Sequence, residues 1–174
     1  PVIMVIGGSQ GAANVNKAVR DSLNKLLEDF QVVHLCGKDK MDNLLLNMSG
    51  YKQFEYVKAE LKDLFAMADL VISRAGANAI CELLALKKPN ILIPLPASSS
   101  RGDQLLNAQS FEAQGFSIVI NEDDLTPELL VDKVHELYFS RQIYYDAMTK
   151  SGQMDSIRTI MNLIQTVGRE TKQA

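Results

Sequence analysis

The chain has 174 residues, 47% of them hydrophobic and 22% charged, with a formal net charge of -3. That length and apolar share suit a single domain with a real core, and the acidic balance argues against a nucleic-acid surface, which needs a basic patch or stripe. No apolar run approaches the roughly 18 residues of a membrane span, and Cys36 and Cys81, both in apolar contexts, read as reduced core thiols rather than a disulfide.

Along the chain, short β-rich runs alternate with longer helical patterns. Val2–Ile6 is the first run and Ala13–Leu27 the helix after it. Then come Val32–Leu35, a helix over Lys40–Met48, Phe54–Val57, a helix over Leu61–Met67, and Leu70–Ser73. A helix over Asn78–Leu86 follows, then Asn90–Ile93, a helix over Gln104–Gln114, and Ser117–Ile120. Several of the runs are apolar throughout, as strands are when both sheet faces are covered. The alternation predicts a Rossmann-like, doubly wound parallel sheet of about six strands. After Ile120 the pattern is helical only. Thr126-Pro127-Glu128 is a strong start for a helix to about Tyr138, and two more are expected over Arg141–Lys150 and Met154–Gln165. The domain is expected to span 1–165, leaving 166–174 as a frayed polar tail. The chain opens directly on its first strand and reads as a piece of a longer protein.

Two strand–glycine–helix junctions stand out, at Val2–Asn16 and Asp69–Leu86. A helix start offers unpaired backbone N–H groups at the positive end of the helix dipole, so two on one sheet edge can cradle a diphosphate. Gly7-Gly8-Ser9-Gln10-Gly11-Ala12 has Ser9 where a dinucleotide fingerprint has glycine, and no Lys-Ser/Thr pair follows it as in a Walker loop. Ser9 can donate to a phosphate oxygen and Gln10 can reach a sugar or a ribose; the alternative is an ordinary turn. Gly76-Ala77-Asn78-Ala79 opens the second helix, which is apolar through Leu86 except for Glu82. A lone carboxylate on a buried helix needs partners. A ribose diol would supply two donors; the alternatives are exposure or a pair with Arg74. Asp103 and Gln104 follow the serine-rich loop 97–102 and suit sugar hydroxyls, with Asp103 equally fit as a helix cap. His34 reads as strand packing and His135 as helix surface. Glu122, Asp123 and Asp124 read as solvated loop charge. No metal-ligand spacing and no general base is visible.

GGSQGA after the first strand, ADLVISRAGANAICELLALKKPNILIPLP and DQLLNA together resemble the carboxyl-terminal domain of the MurG-type glycosyltransferases, over roughly Val2 to Leu163. The resemblance implies one half of a GT-B enzyme that moves N-acetylglucosamine from UDP-N-acetylglucosamine to lipid I. It implies donor binding here, with the acceptor and the cytoplasmic face of the bacterial membrane met by an absent amino-terminal domain. By matched position, Ser9 touches the donor phosphates, Ala77, Asn78 and Ala79 offer amides, Glu82 holds the ribose and Gln104 the sugar. Asp103 departs from the glutamine or histidine of that pattern. The uracil is expected against backbone near Val57 to Leu61. The reaction implied is an inverting displacement needing no metal or cofactor, with no catalytic residue in this half. Two other readings stand beside it: a UDP-sugar epimerase of the same fold, and a non-catalytic nucleotide-binding module.

Overall fold

The computed structural model describes residues 1–7, 12–98 and 102–152. Among these, six strands form one all-parallel sheet: β1 (Val2–Ile6), β2 (Gln31–Leu35), β3 (Tyr51–Phe54), β4 (Leu70–Ser73), β5 (Asn90–Leu92) and β6 (Ser117–Val119). Their lateral order is β3-β2-β1-β4-β5-β6. The chain therefore winds outward in one direction from β1 and, after β3, in the other from β4. The point of reversal lies between β1 and β4, where ligands bind in sheets of this kind.

The helices α1 (Ala13–Asp29), α2 (Leu61–Met67), α3 (Ala77–Ala85), α4 (Asp103–Ala113) and α5 (Pro127–Lys150) cover both faces. Strand side chains alternate between the two layers. Ile3, Val5, Ile72 and Ile91 meet Val19 and Leu23 of α1 and Leu130 and Val134 of α5. Met4, Val71 and Leu92 meet Phe65 of α2, Leu83 of α3 and Phe111 of α4. The apolar runs of the sequence are thus strands buried from both sides.

Several local expectations need correction. The segment 40–48 holds only a 3-10 turn at Asn43–Leu45 rather than a helix. Gln53 fixes the chain before it, accepting from the Asp42 N–H and donating to its carbonyl, both at 2.9 Å. The third strand runs over Tyr51–Phe54, not Phe54–Val57, because Val32 to Leu35 pair with those four residues. The helix after Thr126 continues unbroken to Lys150, with no division at Arg141. Cys81 is exposed, since the helical repeat turns it away from buried Ile80 and Leu84, whereas Cys36 is buried. The expected helix over Met154–Gln165 and the polar tail lie outside the described residues.

His34 sits in the strand core as expected, and its polarity is satisfied there. Asn16 of α1 donates Nδ2 to the Cys36 carbonyl at 2.8 Å, which turns its Oδ1 toward His34 Nε2 at 2.9 Å. An amide oxygen only accepts, so Nε2 carries the proton and Nδ1 accepts from the Tyr51 hydroxyl at 2.9 Å. Burial first, and the nearby Arg20 charge second, lower the His34 pKa to about 3. The unfolded chain's histidine titrates near 6.5, so between those values only the unfolded state gains the proton. The His34 contribution is complete above pH 6.5 and is lost as pH falls below it, by up to about 1.4 kcal/mol per pH unit. In urea titrations from pH 7.5 to 4.5, the stability gap between the wild-type chain and His34→Gln should narrow steadily; a constant gap would contradict this protonation state.

Candidate functional site

Register places the site. Ile6 at the end of β1 lies beside Ser73 at the end of β4, and Ser73 beside Leu92 at the end of β5. Because these strands are parallel, the three chain segments that follow them leave from consecutive places on the same carboxyl rim. α1 packs on one face of the sheet and α3 on the other, so their starts diverge at the reversal point, where sheets of this kind hold their ligands.

The two helix starts share an electrostatic property. α1 begins after Ala12 and α3 after Gly76; neither has a side-chain cap or an acid in its first turn. α5 is the contrast: the Thr126 side chain accepts from the Leu129 N–H, Pro127 is the first helical residue and Glu128 follows. In α3 the first helical bond runs from the Ile80 N–H to the Gly76 carbonyl at 3.0 Å. The N–H groups of Ala77, Asn78 and Ala79 precede it and have no partner within the helix. Ala77 and Asn78 are exposed, Ala79 half-buried. Gly76 has an ordinary φ of -67°, and a Cβ there would meet nothing within 4 Å. Neither backbone strain nor internal packing therefore requires glycine at this position. Ser9 and Gln10 lie outside the described residues.

Of the readings the sequence left open for Glu82, exposure is the one observed. α3 buries Ile80, Leu83 and Leu84 and presents Asn78, Glu82 and Leu86 outward, at helical spacing on one side. Glu82 lines a groove of about 470 Å³ between α3 and the start of α2, together with Lys58, Ala59, Leu61, Phe65 and Leu86. The groove brings Glu82 to the segment 57–61 that the sequence resemblance pointed to for the base.

The third loop is tied back to the second. Asn107 of α4 donates to the Ala75 carbonyl at 3.0 Å, and Gln104 accepts from the Leu95 N–H at 3.2 Å. Asp103 is not the helix cap. Gly102 holds that position with φ +83°, a left-handed conformation that favours glycine, and Asp103 is an exposed first-turn residue.

Sequence reasoning missed the polar assembly behind these loops. Arg74 does not pair with Glu82; its Nη1 donates to Glu122 Oε2 at 2.6 Å and reaches the carbonyls of Ile93 and Pro94 at 3.1 and 3.3 Å. Glu122 is correspondingly not a solvated loop charge. Its side chain is 8% exposed and its Oε1 accepts from Asn14 of α1 at 2.6 Å. Burial acts to raise the Glu122 pKa, but the Arg74 bond and charge, with the Asn14 bond, outweigh it and hold the carboxyl below its usual range. Asn14, Arg74 and Glu122 are too far apart in sequence for any motif to link them. Among the described residues, no group of three or more His, Cys, Asp or Glu side chains could hold a metal, and no helix is long and apolar enough to cross a membrane.

Residues 2–164 match the family described as the glycosyltransferase family 28 C-terminal domain. The chain belongs to this family. A relative from Lachnospira eligens, named UDP-N-acetylglucosamine--N-acetylmuramyl-(pentapeptide) pyrophosphoryl-undecaprenol N-acetylglucosamine transferase, is 59% identical over 165 residues, covering 95% of this chain and 47% of the relative. The chain thus spans about half the length of the curated relatives it matches. The crystal structure of Acinetobacter baumannii MurG aligns with a TM-score of 0.74 at 22% identity, over 94% of this chain and 49% of that one. A putative UDP-N-acetylglucosamine 2-epimerase from Listeria monocytogenes aligns at 0.71 with 15% identity, over 97% and 45%. These likenesses establish the Rossmann-like half of a GT-B fold and do not choose among the chemistries that fold supports. Within the family 28 domain, the buried ion pair is a structural commitment. Arg74→Ala would strand the Glu122 carboxylate and should cost about 3 kcal/mol in urea unfolding; a loss below about 0.5 kcal/mol, typical of a surface substitution, would show that the pair is solvated.

Proposed function

We propose that this chain is the donor-binding half of an inverting N-acetylglucosaminyltransferase. In that reading the whole protein transfers N-acetylglucosamine from UDP-N-acetylglucosamine to lipid I, giving lipid II for peptidoglycan, at the cytoplasmic side of the bacterial membrane. The acceptor and the membrane are met through an amino-terminal domain beyond this chain. The observation that carries the reading is the pair of uncapped helix starts on adjacent strands, beside a groove lined by Glu82. The 59% identity to a transferase of that name supports it.

The chemistry assigned to this half is binding and leaving-group stabilisation. The diphosphate lies at the reversal point, its charge held by the amides of Ala77, Asn78 and Ala79 and by the Ser9 hydroxyl, while Gln10 reaches the sugar or the ribose. As the acceptor hydroxyl displaces UDP from the anomeric carbon, negative charge grows on the diphosphate. Fixed amide dipoles stabilise that charge without reorganising. A Cβ at Gly76 would meet none of the described residues within 4 Å, and that space lets the phosphate approach backbone closely. Glu82, one turn along α3, accepts both ribose hydroxyls while the base lies in the groove near Val57 to Leu61. Gln104 and Asp103 face the sugar. The 59% identity to a relative named as a transferase, against 15% to the epimerase structure, favours a transferase half over an epimerase.

Calorimetry on the chain tests this directly. UDP should bind, and 2′-deoxy-UDP should bind more weakly. Glu82→Ala should weaken UDP by about 1–3 kcal/mol, the cost of leaving hydrogen-bonding groups unpaired, and should abolish the preference for the 2′-hydroxyl. Equal affinities for both nucleotides in the wild-type chain would remove Glu82 from the ribose. Absence of UDP binding would overturn the donor-half reading.

A further inference from the structure

The three rim segments are joined by one buried carboxylate that belongs to none of them. Glu122 comes from a 3-10 turn, Glu122–Asp124, that follows β6. Its two oxygens are divided between the two helix junctions. Oε1 accepts from Asn14 in the first turn of α1, and Oε2 accepts from Arg74, two residues before the Gly76 start of α3. The same Arg74 nitrogen holds the carbonyls of Ile93 and Pro94, where the third loop leaves β5. A chain of four short contacts therefore runs from α1 through Glu122 and Arg74 to the third loop, behind the rim. Both side chains of the ion pair are about nine-tenths buried, at 10% and 8% exposure.

We propose that the Arg74–Glu122 pair is a positioning element for diphosphate binding, fixing the α1 and α3 starts relative to each other so that both sets of amides meet one ligand. The inference rests on the donor-half reading for its ligand, but not for its mechanical content. Covalent connection alone does not set this spacing. The two junctions leave the sheet toward opposite faces, and the carboxylate spans the gap between them. Binding constellations work when held within about 0.5 Å of the productive geometry, and a misplacement of about 1 Å can cost up to about a hundredfold in rate.

The alternative role for a buried Arg–Glu pair is charge compensation, and the two roles predict opposite signs. Glu122→Gln keeps the size of the side chain and one accepting oxygen, but it can no longer accept from Asn14 and Arg74 on separate oxygens. It also leaves the Arg74 charge uncompensated behind an anion site. Charge alone would therefore tighten UDP binding, whereas lost positioning weakens it.

The test compares the wild-type chain, Glu122→Gln and Asn14→Ala by UDP titration and by amide hydrogen exchange without ligand. Positioning predicts that Glu122→Gln weakens UDP about tenfold, leaves uridine affinity unchanged and speeds exchange at the Asn16 and Ile80 amides. Those amides make the first helical bonds of α1 and α3, to the Ala12 and Gly76 carbonyls. Asn14→Ala, which cuts only the α1 limb, should give a smaller loss, and the double variant should fall short of the product of the two effects. UDP affinity unchanged or increased in Glu122→Gln would overturn the proposal, as would exchange unchanged at both amides or accelerated evenly through the core. Should Glu122→Gln not fold, Asn14→Ala carries the same comparison. A wild-type chain that fails to bind UDP would instead overturn the donor-half reading, and exchange at Asn16 and Ile80 would still decide the mechanical claim.

Discussion

The hydrogen-bonded adjacency of β1 and β4 is the constraint on which the rest of the molecule depends. Ile6 pairs with Ser73, so the strands end together and their chains turn outward at neighbouring points. From there α1 goes to one face and α3 to the other. Helix dipoles act only over the first turn, so two starts can serve one anion only if they are lateral neighbours. Any strand inserted between β1 and β4 would move them roughly 5 Å further apart. The absence of side-chain caps and first-turn acids at both starts fits this arrangement. A capping carboxylate would occupy the amides and cancel the field that a phosphate needs.

Polar groups buried behind the rim hold this geometry. The first turn of α1 is gripped from two directions by residues two apart. Asn14 donates to Glu122, while Asn16 donates to the Cys36 carbonyl and accepts from His34. One grip reaches across the reversal point toward β4 and β6, the other toward the end of β2. Asn14 is exposed, but the Asn16 and His34 atoms are buried. A buried polar atom without a partner costs on the order of 1–3 kcal/mol, so the second network favours a single placement of the helix. The Val15, Val19, Leu23 and Leu26 stripe packs α1 against the sheet without directional bonds. Hydrogen bonds fix the placement of α1; the core supplies the cohesion of the domain.

The sheet was legible because its signal is local. Runs such as Leu70–Ser73, buried at every residue, declare a strand covered on both faces, and glycine at 76 marks where it turns into a helix. Boundaries failed where long-range contacts overrode local pattern. The leucines of Asn43–Leu45 suggested a helix, but Gln53 pins the chain at Asp42. Glu122 looked like one acid among three in a loop, and nothing within ten residues signals its partner Arg74. Its role is written in topology, since the end of β6 returns to the rim beside β5. Glu82 stood out as the one charge on an apolar helix, and local pattern left its burial open; it is exposed, because an apolar helix with a single charge can still have one face in water.

The most direct measurement of the central claim is an amide-resolved NMR titration of the chain with UDP-N-acetylglucosamine. If the rim binds one diphosphate, the amides of Ala12, Ala77, Asn78 and Ala79 will shift together and saturate with a single dissociation constant, joined by Gln104 from the third loop. Shifts confined to one junction, or midpoints that differ between the α1 and α3 starts, would contradict the account.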